Sequence, residues 1–458
     1  MLAVSTVLSR APAGLAAPRV RVEVHLGPGL PAFALVGLPE AVVRESRERV
    51  RSAILNSGLE FPAGRITVNL APADLPKEGG RFDLPIAVGI LAASGQVPAA
   101  ALAHCEMFGE LALGGELRAT AKLLPTLRVA MQADDCELIV PGANEKEARW
   151  LASPRIRLAN DLGAVCAALR GTLELPAVSP LTPSAAPEPA LHDLGEVRGQ
   201  FLAKRALEIA AAGGHGLLLV GPPGTGKTVL AQCMPGLLPP LSPQEALEVA
   251  CLESAAGQPA PARALRPFRA PQHTASMGAL IGHADFRPGE IARAHHGVLF
   301  LDELPEFSRN ALEALREPLE SGRILLSRAR RSTEFPASFQ LIAAMNPCPC
   351  GYVGDRRGRC RCTHSQVQRY RARISGPLLD RIDLHVELAM PTGEHLIEEV
   401  ADAECSSVVA ARVEHSQQLQ LGRQGKLNAR LLTAELDRIC ALEPRSKALA
   451  YTAIERLG

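Results

Sequence analysis

The chain has 458 residues, 47% of them hydrophobic and only 3% aromatic, with a formal net charge of +1 at pH 7. That length exceeds one ordinary core, so two or three domains are expected. The near-zero charge points to no nucleic-acid or membrane partner by itself, so any basic surface must be local, and the few aromatics argue against broad base-stacking platforms. No apolar run approaches the ~18–20 residues that span a bilayer. Eleven cysteines, an odd number in a long chain, suit reduced thiols plus a metal site better than a disulfide framework. The opening MLAVSTVLSRAPAGLAAP lacks a basic n-region, and Ser5 and Thr6 break its apolar stretch. It reads as an edge strand and loop rather than a signal peptide, and a soluble cytoplasmic protein is expected.

Along the chain, Val20, Val22 and Val24 alternate with Arg21, Glu23 and His25, the pattern of a half-buried strand. Gly37, Pro39 and Glu40 lead into a helix with Val43, Val50 and Ile54 on one face, stopped by Asn56-Ser57-Gly58. RITVNL (65–70) is a strand, and LPIAVGILAA after the loop APADLPKEGGRFD is a buried helix. Residues 1–172 therefore read as a mixed α+β domain. Residues 173–190, rich in Pro, Ala and Ser without an apolar face, read as a linker.

Beyond it strand and helix alternate. LLLV (217–220) runs through a glycine turn into a helix; GVLFLDE (297–303) is a buried strand; Ser308 starts a helix that turns Leu312, Leu315 and Leu319 inward and ends at Gly322. RILLS (323–327) and SFQLIAAMN (338–346) are further strands. Apolar strands separated by helices imply an α/β domain, a parallel sheet covered on both faces, over 191–392, followed by a partial helical lid at 393–458.

The turn after LLLV is Gly221, Pro222, Pro223, Gly224, Thr225, Gly226, Lys227 and Thr228, which satisfies G-x-x-x-x-G-K-[ST] between strand and helix. The glycines let backbone N–H groups wrap a phosphate of ATP, Lys227 brings a charge to the β/γ-phosphates, and Thr228 offers a hydroxyl to Mg²⁺. A chance glycine turn would lack that strand-and-helix context. The buried VLFLDE strand supplies Asp302 for the Mg²⁺ water shell and Glu303 to orient and deprotonate an attacking water. Asn346, at the end of SFQLIAAMN, can hold that water without adding charge, although an Asn before Pro347 is by itself more often a turn former.

GPPGTGKT, VLFLDELPEF, AAMNPCPCG and SGPLLDRIDL resemble the magnesium-chelatase-like branch of the AAA+ ATPases, and more closely the ComM/YifB family. VGLPEAVVRESRERVRSAILNSG, RITVNLAPADLPKEGGRFDLPIA and RPFRAPQHTASMGALIGHADFRPGEIARAHHG extend the resemblance over nearly the whole chain. It implies an ATPase that assembles as a ring, usually a hexamer, with ATP between subunits and Arg381 of LLDRID reaching a neighbour's γ-phosphate. From the residues alone, Arg381 could equally pair with Asp380 or Asp383. The resemblance also implies a DNA motor acting in branch migration during recombination of transforming DNA. Competing readings are a chelatase-type subunit that remodels a protein and a nucleotide-binding scaffold. The family's second sensing arginine lies in a helix resembling S-A-R-x-x-x-R. This chain ends at YTAIERLG, with Arg445 and Arg456 too early to match, so weakened turnover and ring closure are expected.

Residues 1–172 resemble the proteolytic fold of Lon-type proteases (ribosomal S5 domain 2-like). In the loop PKEGGRFDLP, Lys77 is present but Arg81 occupies the serine slot, so a peptidase is disfavoured. Within 346–365, Cys348, Cys350, Cys360 and Cys362 offer four thiols for a tetrahedral Zn²⁺, with His364 as a substitute ligand; reduced surface cysteines or a redox-labile cluster are the alternatives. Arg356, Arg357, Arg359, Arg361, Arg369, Arg371 and Arg373 surround that loop and suit a phosphate backbone or a neighbour's acids. Arg328, Arg330 and Arg331 sit between RILLS and SFQLIAAMN in hairpin fashion; in related ring helicases such a hairpin grips DNA in the channel.

Overall fold

The computed structural model describes residues 3–37, 45–133, 135–179, 192–261, 265–283, 285–328, 331–354, 358–390 and 404–457. The N-terminal part builds a mixed seven-stranded sheet from β1 (Ala3–Arg10), β2 (Arg19–Gly27), β3 (Ala32–Val36), β4 (Arg65–Ala71), β5 (Cys105–Met107), β8 (Glu137–Pro141) and β9 (Ile156–Ala159), in the order β3-β4-β2-β1-β5-β8-β9. A short antiparallel pair, β6 (Glu110–Leu111) and β7 (Leu117–Arg118), stands apart. In β2 the alternation works as expected, with Val20, Val22 and Val24 buried. Helix α1 (Ser46–Asn56) buries Val50 and Ile54, while Val43 lies outside the described residues. Helix α2 (Asp83–Ala93) is apolar nearly all round because it is covered on every side. Gly89 lets it close on the sheet, since a Cβ there would sit 2.6 Å from a Val24 methyl.

β1 is not an edge strand. It pairs with β2 on one side and β5 on the other, so the opening segment lies inside the sheet. A strand partnered on both sides reads much like an edge strand when its own pattern is short and mixed. The first residues of the expected linker also pack: Leu175 and Val178 are buried, and Val178 N–H donates to Ile156 O at 3.1 Å. Residues 180–191 lie outside the described set.

The second sheet contains β10 (Leu217–Val220), β11 (Phe268–Arg269), β12 (Val298–Leu301), β15 (Gln340–Met345) and β16 (Leu384–Glu387), all parallel in the order β11-β12-β15-β10-β16. The two-residue period divides each strand between two cores. Leu299 and Leu301 of β12 and Leu341 and Ala343 of β15 face one; Val298, Phe300, Ile342 and Ala344 face the other. Each large side chain so buried stabilises by about 1.5–3 kcal/mol. The second core is closed by α4 (Phe201–Gly213), α5 (Lys227–Leu237) and α8 (Ser406–Gln424), the last burying Val409 and Val413. Between α5 and β11 runs α6 (Pro243–Ala255), and after β15 comes α7 (His364–Arg371).

Two expectations change here. The Ser308–Gly322 helix is two pieces, Arg309–Glu313 and Arg316–Ser321. Ser308 caps the first and left-handed Gly322 ends the second, but Pro318 has no N–H to give the Ala314 carbonyl, and the run breaks. Leu312 and Leu315 are buried and Leu319 is half-buried. RILLS does not join the parallel sheet: β13 (Arg323–Arg328) pairs antiparallel with β14 (Arg331–Pro336), so the hairpin partner is RSTEFP rather than SFQLIAAMN. Polar residues at Arg331, Ser332, Thr333 and Glu334 hide that strand from an apolar-run search.

The two halves touch through α6. Leu124, on α3 (Leu123–Ala133), clusters with Ala250 and Cys251 of α6. Trp150 Nε1 donates to Pro261 O at 2.9 Å, and the buried Ser254 hydroxyl donates to Glu147.

Candidate functional site

The C-terminal ends of β10, β12 and β15 lie side by side, and each delivers polar groups to one place. From β10 the chain enters the glycine turn, whose Gly224 and Gly226 take φ of +80° and +83°, conformations that side chains disfavour. Lys227 begins α5 and is 9% exposed. Its ammonium donates to Gly221 O at 2.7 Å, Pro222 O at 3.0 Å and Asn346 Oδ1 at 3.2 Å. Burial lowers its pKa, against the opposing pull of Asp302 and Glu303. A largely buried cation that donates only to neutral oxygens fits a cradle built for an anion.

Thr228 Oγ1 donates to Asp302 Oδ2 at 2.9 Å, so the hydroxyl and carboxylate expected at Mg²⁺ are adjacent. Asp302 Oδ1 accepts the Glu303 N–H at 2.9 Å. Glu303 itself is left-handed, φ 52° and ψ 46°, a conformation that costs about 1–3 kcal/mol for a residue with a side chain. The turn redirects the chain from the buried strand while leaving the carboxylate exposed.

Reading the sequence missed three participants. His273, four residues beyond β11, places Nδ1 3.4 Å from Glu303 Oε2. Tyr370, on α7, shares a hydrogen bond with the Asn346 backbone, and burial pushes its hydroxyl up to about 12. Gln200 holds the cradle from outside, donating to Thr225 O at 3.3 Å and Ala389 O at 2.8 Å. His273 and Gln200 lie outside helices and strands, and Tyr370 sits on a short, mostly polar helix. Only the polar cluster Gln272-His273-Thr274 between apolar stretches hinted at the first.

Arg381 is not at this end of the sheet. It follows the turn Gly376–Leu379 and sits beside Gly216, before β10 begins. Its guanidinium pairs with Glu320 and donates to Pro377 O at 2.6 Å, rather than pairing with Asp380 or Asp383. Asp383 accepts the Gly216 N–H at 2.9 Å.

The four cysteines of the 346–365 loop converge. Cys348 Sγ lies 3.4 Å from Cys350 Sγ and 3.9 Å from Cys360 Sγ, and Cys350 and Cys360 are 3.7 Å apart. Cys362 completes a group whose sulfurs all lie within 4.8 Å. A Zn–S length of about 2.3 Å gives tetrahedral S···S edges of about 3.8 Å, so the set fits. Backbone N–H groups of Arg361 and Tyr352 pull the Cys350 thiol down to about 6. His364 is not in this group; it starts α7.

The arginines are less uniform than their spacing suggests. Arg359 lies over the Tyr352 ring at 4.4 Å, Arg371 donates to Pro347 O at 3.4 Å, and Arg373 pairs with Glu306 at 2.6 Å. Arg361 and Arg369 line a cleft with Cys350, Cys362 and Tyr370. Arg328 and Arg331 are paired in register at the hairpin end; Arg330, Arg356 and Arg357 lie outside the described residues.

Two further polar clusters have structural explanations. Lys77 is fully buried and donates to Gly37 O at 2.7 Å and to Pro72 O, while Arg81 reaches Thr126 and Ala121 O, with burial lowering its pKa to about 10. Glu248, His295 and His296 also converge. The Ser338 N–H donates to His295 Nδ1 at 3.0 Å, which leaves the proton on Nε2 facing Glu248 at 3.3 Å, a hydrogen-bonded pair rather than a ligand.

No described helix is long and apolar enough to cross a membrane. The family model "Magnesium chelatase, subunit ChlI" matches residues 193–396, "Subunit ChlI of Mg-chelatase" matches 22–144, and the ChlI C-terminal model matches 403–458. The YifB protein of Escherichia coli K12 is 49% identical over 463 aligned residues, covering 100% of this chain and 90% of that protein. The competence protein ComM of Haemophilus influenzae is 47% identical over 100% of this chain and 90% of its own length. The magnesium-chelatase 38 kDa subunit of Acidiphilium rubrum is 28% identical over 44% of this chain and 60% of its own. With near-complete coverage by such relatives and the three chelatase-type segments in order, the chain belongs to the ComM/YifB family of magnesium-chelatase-like AAA+ proteins.

Proposed function

We propose that the chain is a Mg²⁺-dependent ATP hydrolase that works as a ring, a hexamer by family analogy, and drives branched DNA during recombination of incoming strands. The observation that carries the catalytic part is the meeting of Lys227, Thr228, Asp302, Glu303 and Asn346 at three neighbouring strand ends. The backbone N–H groups of 224–228 wrap the phosphates, and the Lys227 ammonium turns from the Gly221 and Pro222 carbonyls towards them. Asp302 and Thr228 would hold Mg²⁺, which when bound would supply positive charge against the phosphate oxygens. Glu303 accepts the proton of the attacking water while the Asn346 amide orients that water. Arg381, placed away from its own cradle, serves the site of a neighbouring subunit. Zn²⁺ on Cys348, Cys350, Cys360 and Cys362 is supported separately, by the convergence of their four sulfurs.

The DNA part rests on the hairpin arginines Arg328, Arg330 and Arg331, on Arg356, Arg357 and Arg359, and on the competence designation of the Haemophilus relative. Phosphate contacts of this kind give affinity that falls steeply with salt. Forked or four-way DNA is therefore expected to raise ATP hydrolysis at low salt and lose its effect as salt rises. Hydrolysis indifferent to DNA at every salt concentration favours the second reading, a chelatase-type protein-remodelling subunit, which the similarity to the Acidiphilium chelatase subunit supports.

A further inference from the structure

The cysteine loop does more than follow the third strand: it is built against the glycine cradle. Asn346, which accepts a hydrogen bond from Lys227 Nζ at 3.2 Å, is two residues from the fully buried Cys348. Three residues on, Gly351 takes φ +83° and lies against Pro223 of the cradle, where a Cβ would come within 2.7 Å of Pro223 Cδ. The turn between these points closes on itself, since Gly351 N–H donates to Cys348 O at 2.9 Å and Val353 N–H to Cys348 Sγ at 3.3 Å. After the second cysteine pair, α7 returns to the same place, with Tyr370 on the Asn346 backbone and Arg371 on Pro347 O.

Little apolar matter holds this loop. Residues 346–362 contain only Tyr352 and Val353 as large non-cysteine apolar groups, and both are only half-buried. Beside its contacts with the cradle and α7, what fixes it is the sulfur tetrahedron, with three edges of 3.4–3.9 Å. Four thiolates leave no open ligand position, which is the pattern of a structural rather than a reacting metal.

We propose that one Zn²⁺ on Cys348, Cys350, Cys360 and Cys362 is a working part of the ATP site. It holds Asn346 and Gly351 so that the cradle and the water-orienting amide stay in register. The coupling rests on the ATP-hydrolase reading above, although the metal site does not. Zinc occupancy then governs turnover more than nucleotide affinity, because Lys227 and the backbone N–H groups that grip the phosphates belong to another segment.

The test uses the full chain, purified reduced and without added metal. Elemental analysis is expected to give about one zinc per chain and no iron. Stripping with a mercurial and a chelator, then thiol, should lower kcat by at least about tenfold and move the Kd of a fluorescent ATP analogue by less than about threefold, with zinc restoring kcat. Gly351→Ala keeps all four cysteines; it should retain zinc yet lose turnover, whereas Cys360→Ser/Cys362→Ser should lose both. Hydrogen exchange supplies a readout independent of activity: stripping should speed exchange at the amides of Gly221, Gly224, Thr225 and Gly226 and leave β1 and β2 unchanged. Less than half an equivalent of zinc, or exchange at those four amides unaffected by its removal, overturns the proposal. A zinc-loaded chain with no ATP hydrolysis would instead defeat the hydrolase reading, and the exchange result would still decide whether metal and cradle are linked.

Discussion

Arg381→Ala separates a ring enzyme from one that works alone. Arg381 lies beside Gly216, and the cradle begins at Gly221 on the far end of β10. Five residues of extended chain span about 16 Å, more than an arginine side chain can turn back across. The Glu320 carboxylate that holds Arg381 is 54% exposed, so that pair contributes about 0–1 kcal/mol. An arginine acting on a transferring phosphoryl group is worth about 10³–10⁵ in kcat, or about 4–7 kcal/mol, so Glu320 cannot compete for it once a neighbour's ATP is in place. Arg381→Ala should thus nearly abolish hydrolysis while leaving nucleotide binding intact, and Lys227→Ala should abolish both. Mixed in equal amounts, the two inactive proteins should recover about one quarter of the wild-type rate, since about one interface in four joins an intact cradle to an intact arginine. No recovery in assemblies shown to be mixed, or full activity in Arg381→Ala, refutes the reasoning.

His273→Ala removes one exposed contact to Glu303, worth about 0.5–1.5 kcal/mol, so kcat should fall about two- to twelvefold with KM unchanged; His273→Asn should restore part of the loss, and a raised KM with constant kcat would contradict the assignment. Burial, then the neighbouring His296, lowers the His295 pKa to about 4. The unfolded chain takes up this proton near 6.5 and the folded one does not, so the contribution is full above about pH 6.5 and declines as pH falls towards 4, by up to roughly 3 kcal/mol. Denaturant midpoints measured across that range should drop in the wild type and flatten in His295→Gln; equal slopes would show that another group dominates.

Much of the proposed nucleotide site was legible because its chemistry is local. The glycine turn, the acid pair and the strand-end Asn346 each occur within a few residues, and apolar runs mark the strands that carry them. β14 was not legible, because a hairpin ribbon outside the core needs no apolar run. The Ser308–Gly322 break follows from one missing N–H at Pro318, whose effect the leucine spacing masked. His273 and Tyr370 reach the site from a loop and a helix distant in sequence, and only the fold brings them there. The cysteine spacing suggested a metal, whereas the contact of Gly351 with Pro223 required coordinates.

The most direct measurement is nucleotide binding and hydrolysis by the wild type and Glu303→Gln with Mg²⁺. The wild type is expected to bind and cleave ATP. The variant should bind with Kd within about threefold and cleave about 10²–10⁴ times more slowly, having lost the group that takes the water's proton. A wild-type chain without affinity for Mg²⁺-ATP, or a Glu303→Gln variant that cleaves at the wild-type rate, contradicts the account.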